Sequence, residues 1–164
     1  MKTSLKIFFL EDLNSFYEAI CAGLARRSSE LGEAEITQIS TELEYRRKLE
    51  SGALVHAGFD VAIFDVMVSW CTPEESETPA GENPPPEVQE ELLSNMPWRA
   101  GVRCRRMFAE ALAAAGVGQV PCIYYTVLEP EDLREVLTEE TPLVVKQGDI
   151  DSLVSAIKRA TGQK

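Results

Sequence analysis

Four short apolar runs, each stopping at a charged or hydroxylated residue, constrain this chain more than any other feature. Leu5-Lys6-Ile7-Phe8-Phe9-Leu10 stops at Glu11-Asp12, and Phe59-Asp60-Val61-Ala62-Ile63-Phe64 stops at Asp65. Val120-Pro121-Cys122-Ile123-Tyr124-Tyr125 stops at Thr126, and Leu143-Val144-Val145 stops at Lys146. Runs this short and this apolar suit strands covered on both faces. Glu35-Ile36-Thr37-Gln38-Ile39 adds a strand by alternation.

Helical spacing fills the gaps. Phe16/Tyr17, Ile20, Leu24 and Leu31 recur on one face, with Gly32 placed to end the helix. Thr41-Glu42-Leu43-Glu44 has the form of a capping box and predicts a helix through about Leu49. Further helices are expected from Trp98 to about Ala115, from near Glu129, and over Ile150, Leu153, Val154 and Ile157. Asp149 is the expected N-cap of the last, and Gly162 lies just past its end. Five strands alternating with five helices predict an α/β fold, a parallel sheet wound with helices on both faces.

The length of 164 residues fits one domain, 1–164, with a full core. No apolar run approaches the ~18–20 residues of a membrane-spanning helix. The N-terminal run is interrupted by Glu11-Asp12 with no small-residue cleavage site, so a signal peptide is not expected and a cytoplasmic protein is. A net charge of −11 argues against a broad basic face for nucleic acid and fits cations or basic partners. Cys21, Cys71, Cys104 and Cys122 are scattered without a CxxC pair, so reduced and mostly buried thiols are expected. The single histidine, His56, falls in a loop and is not expected to be catalytic.

One stretch breaks the rhythm. Residues 69–95 hold Pro73, Pro79, Pro84, Pro85 and Pro86 and seven glutamates, with no basic residue. The first half reads as a mobile loop, and Glu87 to Leu93 as a helical turn or two. Trp70, Met96, Pro97 and Trp98 flank the segment as candidate anchors. Arg99, Arg103, Arg105 and Arg106 follow it, and exposed pairs with the glutamates would contribute ~0–1 kcal/mol each.

In open parallel sheets ligands bind beyond the carboxyl ends of the strands. If the sheet forms as expected, Glu11-Asp12, Asp65, Thr126 and Lys146 meet at one edge. With that ordered set, the sequence resembles the response-regulator receiver family, chemotaxis-regulator-like, over essentially the whole chain apart from the 69–95 insertion. The resemblance implies a flavodoxin-like five-stranded sheet of order 2-1-3-4-5. It implies Mg2+ held by Glu11, Asp12, Asp65 and the backbone carbonyl of Met67. Asp65 would then accept a phosphoryl group from a sensor histidine kinase, a phosphotransfer protein or a small acyl phosphate. Lys146 would offset phosphoryl charge, and Thr126 would sense occupancy. A signalling domain rather than an enzyme is implied. Because no output domain follows Lys164, its output would run through a downstream target protein or phosphate relay. The expected docking face is the fourth strand, the helix near Glu129 and the fifth strand.

Each site residue also has a plainer reading: Glu11 or Asp12 as a helix cap, Thr126 as a cap ahead of Glu129, Lys146 as a solvated loop residue. The chain also departs from the family. Gln147-Gly148 follows the lysine where proline is usual, Leu143 replaces the switch aromatic, and Val127 follows the threonine where a small residue is usual. These departures put the usual switch in doubt and keep open a binding module that works without phosphorylation. A haloacid-dehalogenase-type phosphatase is disfavoured, because Asp65-Val66-Met67 lacks the second Asp of that family's motif. A flavodoxin is weaker still, since no Ser/Thr/Gly-rich phosphate loop follows the first strand.

Overall fold

In a computed structural model, residues 4–76, 83–93, 99–134, 137, 141–146 and 150–163 are described. The elements run β1 (Leu5–Leu10), α1 (Asn14–Arg26), α2 (Ser28–Leu31), β2 (Ala34–Ile39), α3 (Glu42–Glu50) and β3 (Val61–Phe64). They continue through α4 (Pro73–Ser76), α5 (Pro86–Leu93), α6 (Ala100–Ala114), β4 (Cys122–Thr126), β5 (Leu143–Val145) and α7 (Asp151–Thr161). The sheet has the order β2-β1-β3-β4-β5, with every neighbouring pair parallel. This is the flavodoxin-like doubly wound topology.

The alternation of side chains along each strand divides the core between two faces. Phe8, Leu10, Ala62, Phe64 and Tyr124 pack with Tyr45, Cys104, Phe108 and Leu112 beneath α3 and α6. Ile7, Phe9, Val61, Ile63, Ile123 and Tyr125 pack with Ile20, Leu24, Leu153 and Ile157 beneath α1 and α7. Both faces being covered explains why the strands read as continuous apolar runs.

The structure trims several boundaries. The first helix breaks at Arg27, and a separate turn carries Leu31 to Gly32, whose φ of 80° ends it. β3 begins at Val61; Asp60 instead accepts the Lys6 N–H on its side chain, 3.0 Å away. β4 begins only at Cys122, after Pro121, which has no N–H to donate. After β4 a short 3-10 turn, Pro130–Leu133, replaces the start of the expected helix, capped reciprocally by Glu129 and Asp132. Both strands of the expected docking face are described, but 135–136 and 138–140 of the helix expected between them lie outside the described residues. Asp149, the expected cap of α7, also lies outside them, and Ile150 is the N-cap residue.

Thr41 caps α3 as expected, accepting the Glu44 N–H at 3.2 Å. The same device recurs in the 69–95 segment, where a mobile loop was expected. Thr72 Oγ1 accepts from the Glu75 N–H, and Glu75 Oε2 accepts from the Thr72 N–H at 2.9 Å, starting α4. Residues 77–82 lie outside the described set, as do the candidate anchors Met96, Pro97 and Trp98. Trp70 does anchor: it packs with Leu43 and with Val88 of α5, and the Arg46 guanidinium lies 5.6 Å from its ring centre.

The arginine pairing also differs from a set of exposed ion pairs. Arg103 of α6 donates through Nε and Nη2 to both oxygens of Glu42, which is fully buried at the start of α3. Arg103 also meets Glu91 of α5 at 2.5 Å, and Arg46 shares Glu42. Arg103 is itself 8% exposed. A buried, multiply bonded network of this kind clamps α5 onto the helical layer.

Among the described residues no disulfide forms; Cys104 is buried, whereas Cys21, Cys71 and Cys122 are only partly so, fewer than the sequence suggested. His56 is exposed in the turn after α3. No described helix is long and apolar enough to cross a membrane.

Candidate functional site

Strand register brings the four strand ends together. Leu10 pairs with Phe64 across β1 and β3, and the Asp65 N–H donates to the Leu10 carbonyl at 2.9 Å, so Glu11 and Asp65 leave the sheet side by side. Phe64 pairs with Tyr124 across β3 and β4. Thr126 pairs with Val145, and the Lys146 N–H donates to the Thr126 carbonyl at 2.7 Å.

The side chains then converge. Lys146 Nζ donates to Asp65 Oδ2 at 2.8 Å and to Glu11 Oε2 at 2.5 Å. Its side chain is 2% exposed. The ammonium also lies 4.8 Å from the centre of the Phe16 ring and 5.5 Å from that of Tyr125, so aromatic faces line its far side. Asp65 Oδ1 accepts the Met67 N–H at 3.3 Å. Glu11 Oε1 accepts the Leu13 N–H at 3.1 Å. Thr126 is fully buried, accepts the Leu128 N–H on its Oγ1, and lies near enough to Asp65 to lower that carboxyl's pKa.

Asp12 sits at the rim. Its Oδ2 accepts from both the N–H (3.0 Å) and the Oγ (2.8 Å) of Ser69. α1 has Leu13 as its N-cap residue, with no side-chain cap. So neither Asp12 nor Thr126 is a helix cap, and Lys146 is not a solvated loop residue.

One carboxylate oxygen from each of Glu11, Asp12 and Asp65 lies within 4.8 Å of the other two. Burial pushes the Asp65 carboxyl above its usual range, opposed by the Lys146 charge and hydrogen bond and by the Met67 and Thr126 hydrogen bonds. Burial likewise pushes Glu11 up; Lys146 opposes it and the neighbouring Asp65 adds to it. Burial raises the Tyr125 hydroxyl as well, with Glu11 and Asp65 contributing. Three carboxylates thus face one lysine, and among the described residues the cluster offers only carboxylate oxygens as ligands. That donor set fits a hard divalent cation such as magnesium.

Two features of the site have no strong sequence signal. Ser69 lies among residues read as the edge of an insertion. Gly101 lies against the Asp65 loop: its N–H donates to the Val66 carbonyl at 3.0 Å, and a Cβ placed there would fall 1.8 Å from the Asp65 carbonyl oxygen. Val127 and Met67 are exposed on the rim, at 52% and 38%. Leu143 packs against the core cluster beneath α6. Gln147 and Gly148 lie outside the described residues.

No protein-family model matches the sequence, and no curated protein matches it. Solved structures do match. A response regulator receiver protein from Sinorhizobium medicae superposes with a TM-score of 0.60 at 13% identity, covering 97% of this chain and 95% of that one. The phosphorylated cyanobacterial phytochrome response regulator RcpA superposes with a TM-score of 0.54 at 15% identity, covering 95% and 90%. With its 2-1-3-4-5 parallel sheet and superposition along nearly the full length of both structures, the chain has the fold of a response-regulator receiver domain.

Proposed function

We propose that this chain is a receiver whose Asp65 accepts a phosphoryl group in a magnesium-dependent reaction and signals by binding another protein. The observation that carries the reading is the side-chain set at the sheet edge: three carboxylates within reach of one ion, and Lys146 bonded to two of them. Glu11, Asp12 and Asp65, with the Met67 carbonyl, would hold the cation. When bound, it supplies positive charge that offsets the phosphoryl oxygens and the crowded carboxylates.

Asp65 would attack the phosphorus of a phosphohistidine or an acyl phosphate. The new bond joins an Asp65 oxygen to phosphorus as the bond to the donor nitrogen or oxygen breaks, and the electron pair leaves with the donor. A departing imidazole takes a proton from water. Lys146, already 2.8 Å from Asp65 Oδ2, supplies charge at the receiving oxygen. Thr126, buried near Asp65, would donate its hydroxyl to a phosphoryl oxygen. The resulting partners would be a sensor histidine kinase or phosphotransfer protein upstream and a target protein downstream.

A second reading has one observation in its favour: Lys146 already spans Glu11 and Asp65, so the pocket is partly neutralised without an ion. This is the phosphorylation-independent module. Beryllofluoride, which mimics an aspartyl phosphate, separates the two. Magnesium with beryllofluoride should raise the unfolding temperature of the wild type and leave that of Asp65→Asn unchanged. No shift in the wild type would favour the second reading.

A further inference from the structure

Of the three clustered carboxylates, Asp12 is the one whose environment differs. Glu11 and Asp65 each have both oxygens engaged, with Lys146 on one and a backbone N–H on the other. Asp12 has both of its bonds on Oδ2, and both come from Ser69. Among the described residues, Oδ1 accepts no hydrogen bond. Asp12 is also the partly exposed member of the set. It is therefore the carboxylate with an oxygen to spare and an approach from solvent.

Ser69 is in turn held from behind. Its carbonyl accepts the Glu42 N–H at 2.9 Å, and the next carbonyl, Trp70, accepts the Leu43 N–H at 2.8 Å. These are the first two amides of α3, whose helical partners do not exist, so the loop satisfies donors that a helix start leaves open. The Trp70 ring is packed against Leu43 and Val88, and Glu42 is fixed by Arg103 and Arg46. A residue whose backbone is fixed on one side and whose two donors converge on one carboxylate oxygen on the other sets that carboxylate's orientation.

We propose that Ser69 is a positioning residue for Asp12: its N–H and hydroxyl hold Oδ2 and so direct Oδ1 toward a divalent cation. The assignment rests on the magnesium-binding reading above. Removing a group that orients a metal ligand lowers affinity by roughly 10–100-fold in known sites. Ser69→Ala keeps the N–H and loses the hydroxyl, so the lower end, roughly tenfold, is expected.

The test is a calorimetric magnesium titration of the whole chain and of Ser69→Ala, Ser69→Thr, Asp12→Asn and the Ser69→Ala/Asp12→Asn pair. Metal-free thermal unfolding is measured alongside. Ser69→Ala should bind magnesium about tenfold more weakly, Ser69→Thr should restore affinity, and metal-free unfolding should be unchanged in both. In the Asp12→Asn background, Ser69→Ala should have no further effect. Wild-type affinity in Ser69→Ala, failure of threonine to restore it, a matching loss of metal-free stability, or an undiminished effect without Asp12 would each overturn the assignment while leaving the proposed function standing. A wild type that binds no magnesium would overturn both.

Discussion

Lys146 Nζ stands 2.8 Å from Asp65 Oδ2 at the carboxyl edge of the sheet, although 81 residues separate the two in the chain. Glu11 shares the same ammonium. Lys146→Ala would leave two buried carboxylates facing each other, and removing one partner of a buried pair costs about 3–5 kcal/mol. Denaturant unfolding without metal should show a loss of that order at neutral pH. Magnesium should restore part of it, because an added cation replaces the missing charge.

The raised carboxyls fix the sign of a pH effect. Asp65 and Glu11 have folded-state pKa values above their unfolded ones, chiefly through burial. The folded state therefore binds protons more readily. These two groups contribute least to stability above their folded pKa values, and more as the pH falls toward the ordinary carboxylate range. Asp65→Asn carries the neutral form permanently. It should be more stable than the wild type at neutral pH without metal, with the difference shrinking on acidification. Denaturation midpoints at two pH values check this; a less stable variant at neutral pH would contradict it.

Gly101 should tolerate no side chain. A Cβ there would overlap the Asp65 carbonyl, which is backbone and has little room to yield. Overpacking of this kind typically costs 1–3 kcal/mol, and here the displacement falls on the loop carrying the site. Gly101→Ala should lose stability in that range and weaken magnesium binding. An alanine variant with wild-type unfolding and wild-type affinity would refute the close approach.

Arg103→Ala should loosen α5 from the helical layer. Glu42, buried and left to Arg46, loses its bidentate partner, and Glu91 of α5 loses its ion pair with Arg103. A global loss of about 3–5 kcal/mol is expected. Hydrogen exchange over Pro86–Leu93 should accelerate more than over β1. Equal acceleration in both would show that the arginine does not hold α5.

The sequence was informative where a local rule sufficed. Strands covered on both faces announce themselves as apolar runs, so the ends at Glu11, Asp65, Thr126 and Lys146 could be placed, and with them the candidate pocket. Thr41 was legible as a cap because the pattern is four residues long; Thr72–Glu75 obeys the same rule and was passed over because prolines surround it. Pairings across long stretches of chain left no trace. Nothing local marks Arg103 as the partner of Glu42, 61 residues away, or Ser69 as the partner of Asp12, 57 residues away. Gly101 is a similar case, since its need to be glycine comes from a backbone 36 positions earlier and not from its own helix.

Phosphorylation itself tests the reading of Asp65 most directly. The whole chain is incubated with a small acyl phosphate, with magnesium or with a chelator, and the adduct is mapped by mass spectrometry. A magnesium-dependent phosphoryl adduct on Asp65, absent with the chelator and in Asp65→Asn, is the predicted result. No adduct in the wild type, or an equal one in Asp65→Asn, would contradict the account.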